Sequence, residues 1–81
     1  MAHRAMPLLL RICAAIDELF IDEVGPQGAK LVAEARKAWL VPGNRSRPAE
    51  ALEYVHLLAQ HIRDPDARAD FVEEAKDCIK L

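Results

Sequence analysis

Basic charge is not in excess in this chain: 11 lysines and arginines stand against 13 aspartates and glutamates, for a formal net charge of −2. Binding to nucleic acid, which usually needs a basic face, is therefore not expected. No run approaches the ~20 apolar residues of a membrane span. The start sets Arg4 ahead of Leu8, Leu9 and Leu10 as an export signal would. Arg11 ends that run far short of the roughly 7–15 apolar residues an export signal needs. A lipoprotein signal fails as well, because Arg11 and Ile12 fill the places before Cys13 that call for small residues. The expected compartment is the cytoplasm.

Catalytic and metal-binding patterns are equally scarce. There is no nucleophile–base pair, phosphate loop or metal set, so neither enzyme activity nor a cofactor is expected. His56 and His61 lie five apart on one helical pattern and so on different faces, whereas helical zinc clasps use three or four. Glu53 and His56 have the right spacing but lack a third ligand. Cys13 and Cys78 form no Cys-x-x-Cys, and each lies on or beside an apolar stripe. They read as small core hydrophobes, with a disulfide open only if the first and last helices are neighbours. No period-two alternation appears, so no sheet is expected.

What is present is helix and corner. Gly25-Pro26 separates an apolar, acid-ended segment, Pro7 to Val24, from a second pattern, Gln27 to Leu40. Glycine can leave a helix and proline is tolerated in the first turn of the next. The cluster Val41-Pro42-Gly43-Asn44 ends the second helix, and a third begins near Ser46 or Arg47 with Pro48 in its first turn. Asp64-Pro65-Asp66 ends the third and opens the fourth, with Asp64 as N-cap and Pro65 at the first helical position. The expectation is all-α: a compact bundle of four helices in two hairpins, one domain over residues 1–81, with 1–6 as a disordered arm. An 81-residue chain buries only about 60–65% of its unfolded surface, so the core is marginal unless it packs well or self-associates.

The apolar positions follow helical spacing. The second helix offers Gly28, Leu31, Val32, Ala35, Ala38 and Trp39 to the core, and the third Ala51, Leu52, Val55, Leu58, Ala59 and Ile62. The fourth offers Phe71, Val72, Ala75, Cys78 and Ile79 over Arg68 to Leu81. Trp39, at the end of its stripe, is expected to cap the core with its indole N–H in solvent. Arg45, Ser46 and Arg47 form a small basic tip that a kinase could read. The first helix carries two stripes: Leu9, Ile12, Ile16, Leu19 and Phe20, and on another side Leu10, Ala14, Ile21 and Val24. The second stripe, extended by Met6 and Leu8, is the expected homodimer interface, because an exposed apolar strip is commonly an interface and a two-fold closes it with one surface.

Asp17, Glu18, Asp22 and Glu23 crowd the last turns of the same helix, where carboxylates meet the negative end of its dipole and Glu18 and Asp22 repel at i, i+4. Lys30, Arg36 or Lys37 of the next helix, or a basic protein partner, is expected to neutralise them. These four residues are the candidate partner-binding site.

Two stretches also carry a resemblance: Leu19 to Val32, and Ile62 to Phe71. With Val24-Gly25-Pro26, Leu31-Val32, Asp64-Pro65 and Phe71, the chain resembles a small uncharacterised bacterial helical domain. That domain is often found at the C-terminal end of signalling proteins, including some serine/threonine kinases. Gln27 stands where an apolar residue is more usual. The resemblance implies an accessory or interaction role and no catalytic residues. Two functions are thus expected in order: a protein–protein interaction or signalling-accessory module, and an acidic, immunity-like inhibitor that neutralises a basic partner.

Overall fold

A computed structural model describes residues 6–43, 45 and 47–79. Residues 1–5 of the expected arm lie outside the described residues, and Met6, its last, donates its N–H to the Arg45 carbonyl oxygen at 2.9 Å. Four α-helices follow in order: α1 (Pro7–Val24), α2 (Gly28–Leu40), α3 (Ala51–Ala59) and α4 (Pro65–Cys78), with a 3₁₀ turn over Pro48–Glu50 ahead of α3. Among the described residues there is no strand, only an isolated bridge at Arg45. No helix among them is long and apolar enough to cross a membrane.

The two punctuating corners have the physical form that their residues dictate. Gly25 sits at φ 91°, a backbone that side-chain-bearing residues rarely adopt, and its N–H closes α1 on the Ile21 carbonyl oxygen at 2.8 Å. Asp64 is extended, accepts the Asp66 N–H on its side chain, and leaves Pro65 at the first helical position. The third helix is shorter than its stripe. It begins as a 3₁₀ turn at Pro48, and past Ala59 the bonds tighten to i→i+3, His61 N–H to Leu58 and Ile62 N–H to Ala59. Arg68 of α4 then caps the exit, donating to the Ile62 and Arg63 carbonyl oxygens at 3.0 and 3.4 Å.

α1 and α3 each touch every other helix, whereas α2 and α4 do not touch. The closest packing runs across the two hairpins: α1 on α4 and α2 on α3. An aromatic pair marks each of these interfaces. Phe20 of α1 meets Phe71 of α4 edge-on at 5.7 Å, and Trp39 of α2 meets Tyr54 of α3 at 5.3 Å. Around them lie Leu9, Cys13 and Ile16 of α1, Ala35 of α2, Ala51, Val55, Leu58 and Ala59 of α3, Ile62, and Ala75 of α4. Gly28 permits a close approach at the first corner. A Cβ there would stand 2.7 Å from Val24 Cγ2 and 3.2 Å from Ile21 Cγ1.

Three core expectations are corrected. Leu52 is 36% exposed and Tyr54 is fully buried, so Tyr54 takes the core place that the stripe reading gave to Leu52. Ala38 is exposed. Trp39 is 1% exposed, and its indole N–H does not reach solvent but donates to the Glu50 carbonyl oxygen at 2.8 Å.

Candidate functional site

α1 has two polar surfaces, one turned inward and one outward. The inward one is centred on Asp17. Its carboxylate accepts from Arg36 Nη2 of α2 at 2.6 Å and from the Tyr54 hydroxyl of α3. The Arg36 guanidinium also lies over the Tyr54 ring, 5.1 Å from its centroid. One turn earlier on α1, Cys13 is fully buried. Three helices are thus joined through one carboxylate. Arg36 is the cation that neutralises Asp17, as the sequence allowed for Lys30, Arg36 or Lys37, but Tyr54 had no place in that reading.

Burial dominates the acid–base character of this cluster. It pushes the Cys13 thiol up to about 11, with Arg36 pulling down and Asp17 pushing further up. It raises the Tyr54 hydroxyl well above the ordinary phenol range, reinforced by the hydrogen bond to Asp17. It also raises Asp17 above its ordinary value, against the opposing pull of the Tyr54 hydrogen bond and of Arg36. A protonated thiol and a protonated phenol at neutral pH are donors and packing groups, and neither is primed as nucleophile or base. The cluster acts as a polar rivet between α1, α2 and α3.

Both thiols are free, although α1 and α4 are neighbours as a disulfide would require. Cys78 is half-buried, and burial with the Asp77 and Glu74 carboxylates raises its thiol. At neutral pH a water-soluble thiol reagent should therefore modify Cys78 first and reach Cys13 only after denaturant is added. Two equal, rapid phases in the folded protein would contradict the burial of Cys13.

The outward surface carries the rest of the expected partner site. Glu18, Asp22 and Glu23 are exposed, and none of them has an ion pair among the described residues. The expected interface strip is divided. Leu10 is 43% exposed and Ala14 is exposed, whereas Ile21 and Val24 are half-buried against Gly28. Leu8, 60% exposed, does not extend the strip as expected. Residues two apart diverge by about 200° around a helix, so Leu8 and Leu10 lie on opposite flanks of α1. Met6 precedes α1, 54% exposed.

The expected basic tip is corrected too. Arg45 donates through Nε to the Trp39 carbonyl oxygen at 2.9 Å, pairs with Glu50 and Glu53 at 2.9 and 3.0 Å, and lies over the Trp39 ring. It holds the turn between α2 and α3 onto Trp39, so only Arg47 remains as an exposed cation there; Asn44 and Ser46 lie outside the described residues. The histidines are placed apart. His61 packs edge-on to Phe20 at 6.5 Å, and His56 lines an open cleft of about 640 Å³ between α3 and α4, floored by Ala59 and Val72.

Residues 12–81 match the model of a family described as a domain of unknown function (DUF8082), and the chain belongs to that family. No curated protein and no solved structure matches the chain. The match takes in α1 from Ile12 onward and all of α2, α3 and α4, with both corners, Val24-Gly25-Pro26 and Asp64-Pro65.

Proposed function

We propose that this domain is a non-catalytic protein–protein interaction module that works through the outer surface of α1. It acts as an accessory to bacterial signalling proteins in the cytoplasm. The observation that carries the reading is the composition of that surface. Leu10 and Ala14 stand open beside Arg11, Glu18, Asp22 and Glu23, whose charges the fold leaves without ion pairs among the described residues. Tyr54 and Arg36 are committed to Asp17, and Cys13 to the core. Asp17 serves such a module from behind, fixing α1 against α2 and α3. The signalling association is supported by the corner motifs and their resemblance.

Self-association is the first use of this surface. Replacing Leu10 and Ile21 together by Glu should give a folded monomer where the wild type dimerises, read by sedimentation velocity with far-UV circular dichroism as the folding control. An unchanged dimer in that variant would move the interface away from α1.

A second reading, an acidic inhibitor of a basic protein, draws on α4. Its exposed Asp66, Asp70, Glu74 and Asp77 add further carboxylates without ion pairs among the described residues to those of α1. In that reading Glu18, Asp22 and Glu23 are the partner contacts, and charge reversal there abolishes binding to the basic protein.

A further inference from the structure

The outward face of α1 has a charge order that is complementary to itself. Arg11, Ala15, Glu18 and Asp22 follow one another at spacings of four, three and four, which places them along one seam of the helix. Arg11, Glu18 and Asp22 are exposed and Ala15 is half-buried. Among the described residues, Arg11, Glu18 and Asp22 have no ion pair. The residues three and four positions from Arg11 on α1 are Pro7, Leu8, Ala14 and Ala15, so helical pairing offers it no carboxylate. The corresponding neighbours of Asp22 are Glu18, Leu19, Gly25 and Pro26, which offer it no cation. Arg11 lies about 16 Å along the helix axis from Asp22.

We propose that the partner of this seam is a second copy of the same chain, with the two α1 helices antiparallel about a two-fold axis that passes between Ala15 and Glu18. The proposal rests on the reading of α1 as an interface, and specifies its geometry. In this register Arg11 lies opposite the second copy's Asp22, and the two-fold repeats the pair at the other end. Ala15 lies opposite Glu18, its small side chain lets the backbones approach at the crossing, and Arg11 with Asp22 alone carries the charge complementarity of the register. The flanks then meet like with like, as they do in antiparallel pairs. Leu10, 43% exposed, comes beside the second copy's Ile21, and half-buried Ile12 comes beside its Leu19. The strip of Leu10, Ala14 and Ile21 is therefore one flank of the interface, and the charged seam sets its direction and register. A parallel pairing would set Arg11 against Arg11 and Asp22 against Asp22, which repel.

Charge exchange tests this register. Arg11→Glu alone should weaken the dimer by about tenfold or more, since each two-fold-related pair becomes repulsive. Asp22→Arg alone should do the same. Mixing the two single variants should produce a heterodimer, and the double variant Arg11→Glu, Asp22→Arg should recover the homodimer. Sedimentation velocity reads all four samples, and circular dichroism confirms that each is folded. A dimer in Arg11→Glu as tight as the wild type would overturn the register while leaving α1 as an interface. So would a double variant that stays monomeric. A wild type that stays monomeric at hundreds of micromolar would overturn the self-association itself.

Discussion

Trp39→Ala is expected to cost about 3–5 kcal/mol, the range for removing a large buried aromatic side chain. The side chain is 1% exposed and rests on Tyr54 at 5.3 Å, so truncation opens a cavity at the α2–α3 interface. Its loss also removes the indole N–H that the Glu50 carbonyl oxygen accepts at 2.8 Å and the ring beneath the Arg45 guanidinium. Arg45 in turn organises the turn before α3 through Glu50 and Glu53. A domain of this size has a total stability of about 4–12 kcal/mol at ~0.05–0.15 kcal/mol per residue. The variant should therefore be partly or wholly unfolded at 25 °C, as urea titration followed by far-UV circular dichroism would show. Trp39→Phe keeps most of the volume and should lose far less.

The second large effect lies at the polar rivet. Asp17→Ala leaves the Arg36 guanidinium and the Tyr54 hydroxyl without their shared acceptor, and Arg36 Nε is already buried without a partner. Breaking a fully buried pair costs about 3–5 kcal/mol; here the two side chains are 26% and 16% exposed, which reduces the expectation to about 2–3 kcal/mol. Asp17→Asn keeps an acceptor oxygen in place and should cost less than Asp17→Ala. The pH dependence separates the two states of the carboxyl. Because burial raises Asp17 from 3.8, the folded protein holds this proton more tightly than the unfolded chain does. The stabilisation from that proton is complete below pH 3.8 and is lost as pH rises through the folded value. Wild type should thus gain stability relative to Asp17→Asn as the pH falls from neutral toward 4, in paired denaturation curves. A gap that narrows on acidification would place Asp17 below its ordinary value.

The parts of the fold legible in the sequence were those set by local chemistry. Gly25-Pro26 and Asp64-Pro65 mark their corners because a positive φ and a missing N–H each act within a turn, whatever the rest of the chain does. The stripes of α1 and α4 placed Leu9, Ile16, Phe20, Phe71 and Ala75 correctly for the same reason. Trp39 and Arg45 were misjudged and Tyr54 was left out because all three are amphipathic, so their partners decide which end is buried. Those partners are distant: Tyr54 reaches Asp17 across 37 positions of sequence, a relation that no periodicity encodes. Asp17 itself was grouped with Glu18, Asp22 and Glu23 by proximity along the chain. Its angular place beside the buried stripe of Cys13 and Phe20 was the available sign that it turns inward. Leu8 was assigned to the wrong flank by reading adjacency where the helix has a 100° step.

Sedimentation equilibrium of the wild-type protein, from low micromolar to near-millimolar concentration, tests the role of α1 as an interface most directly. The expected mass rises from the 9.0 kDa of one chain toward twice that value. The rise should weaken in high salt, which screens Arg11 from the second copy's Asp22. A mass that stays at 9.0 kDa across the whole range would contradict self-association through α1.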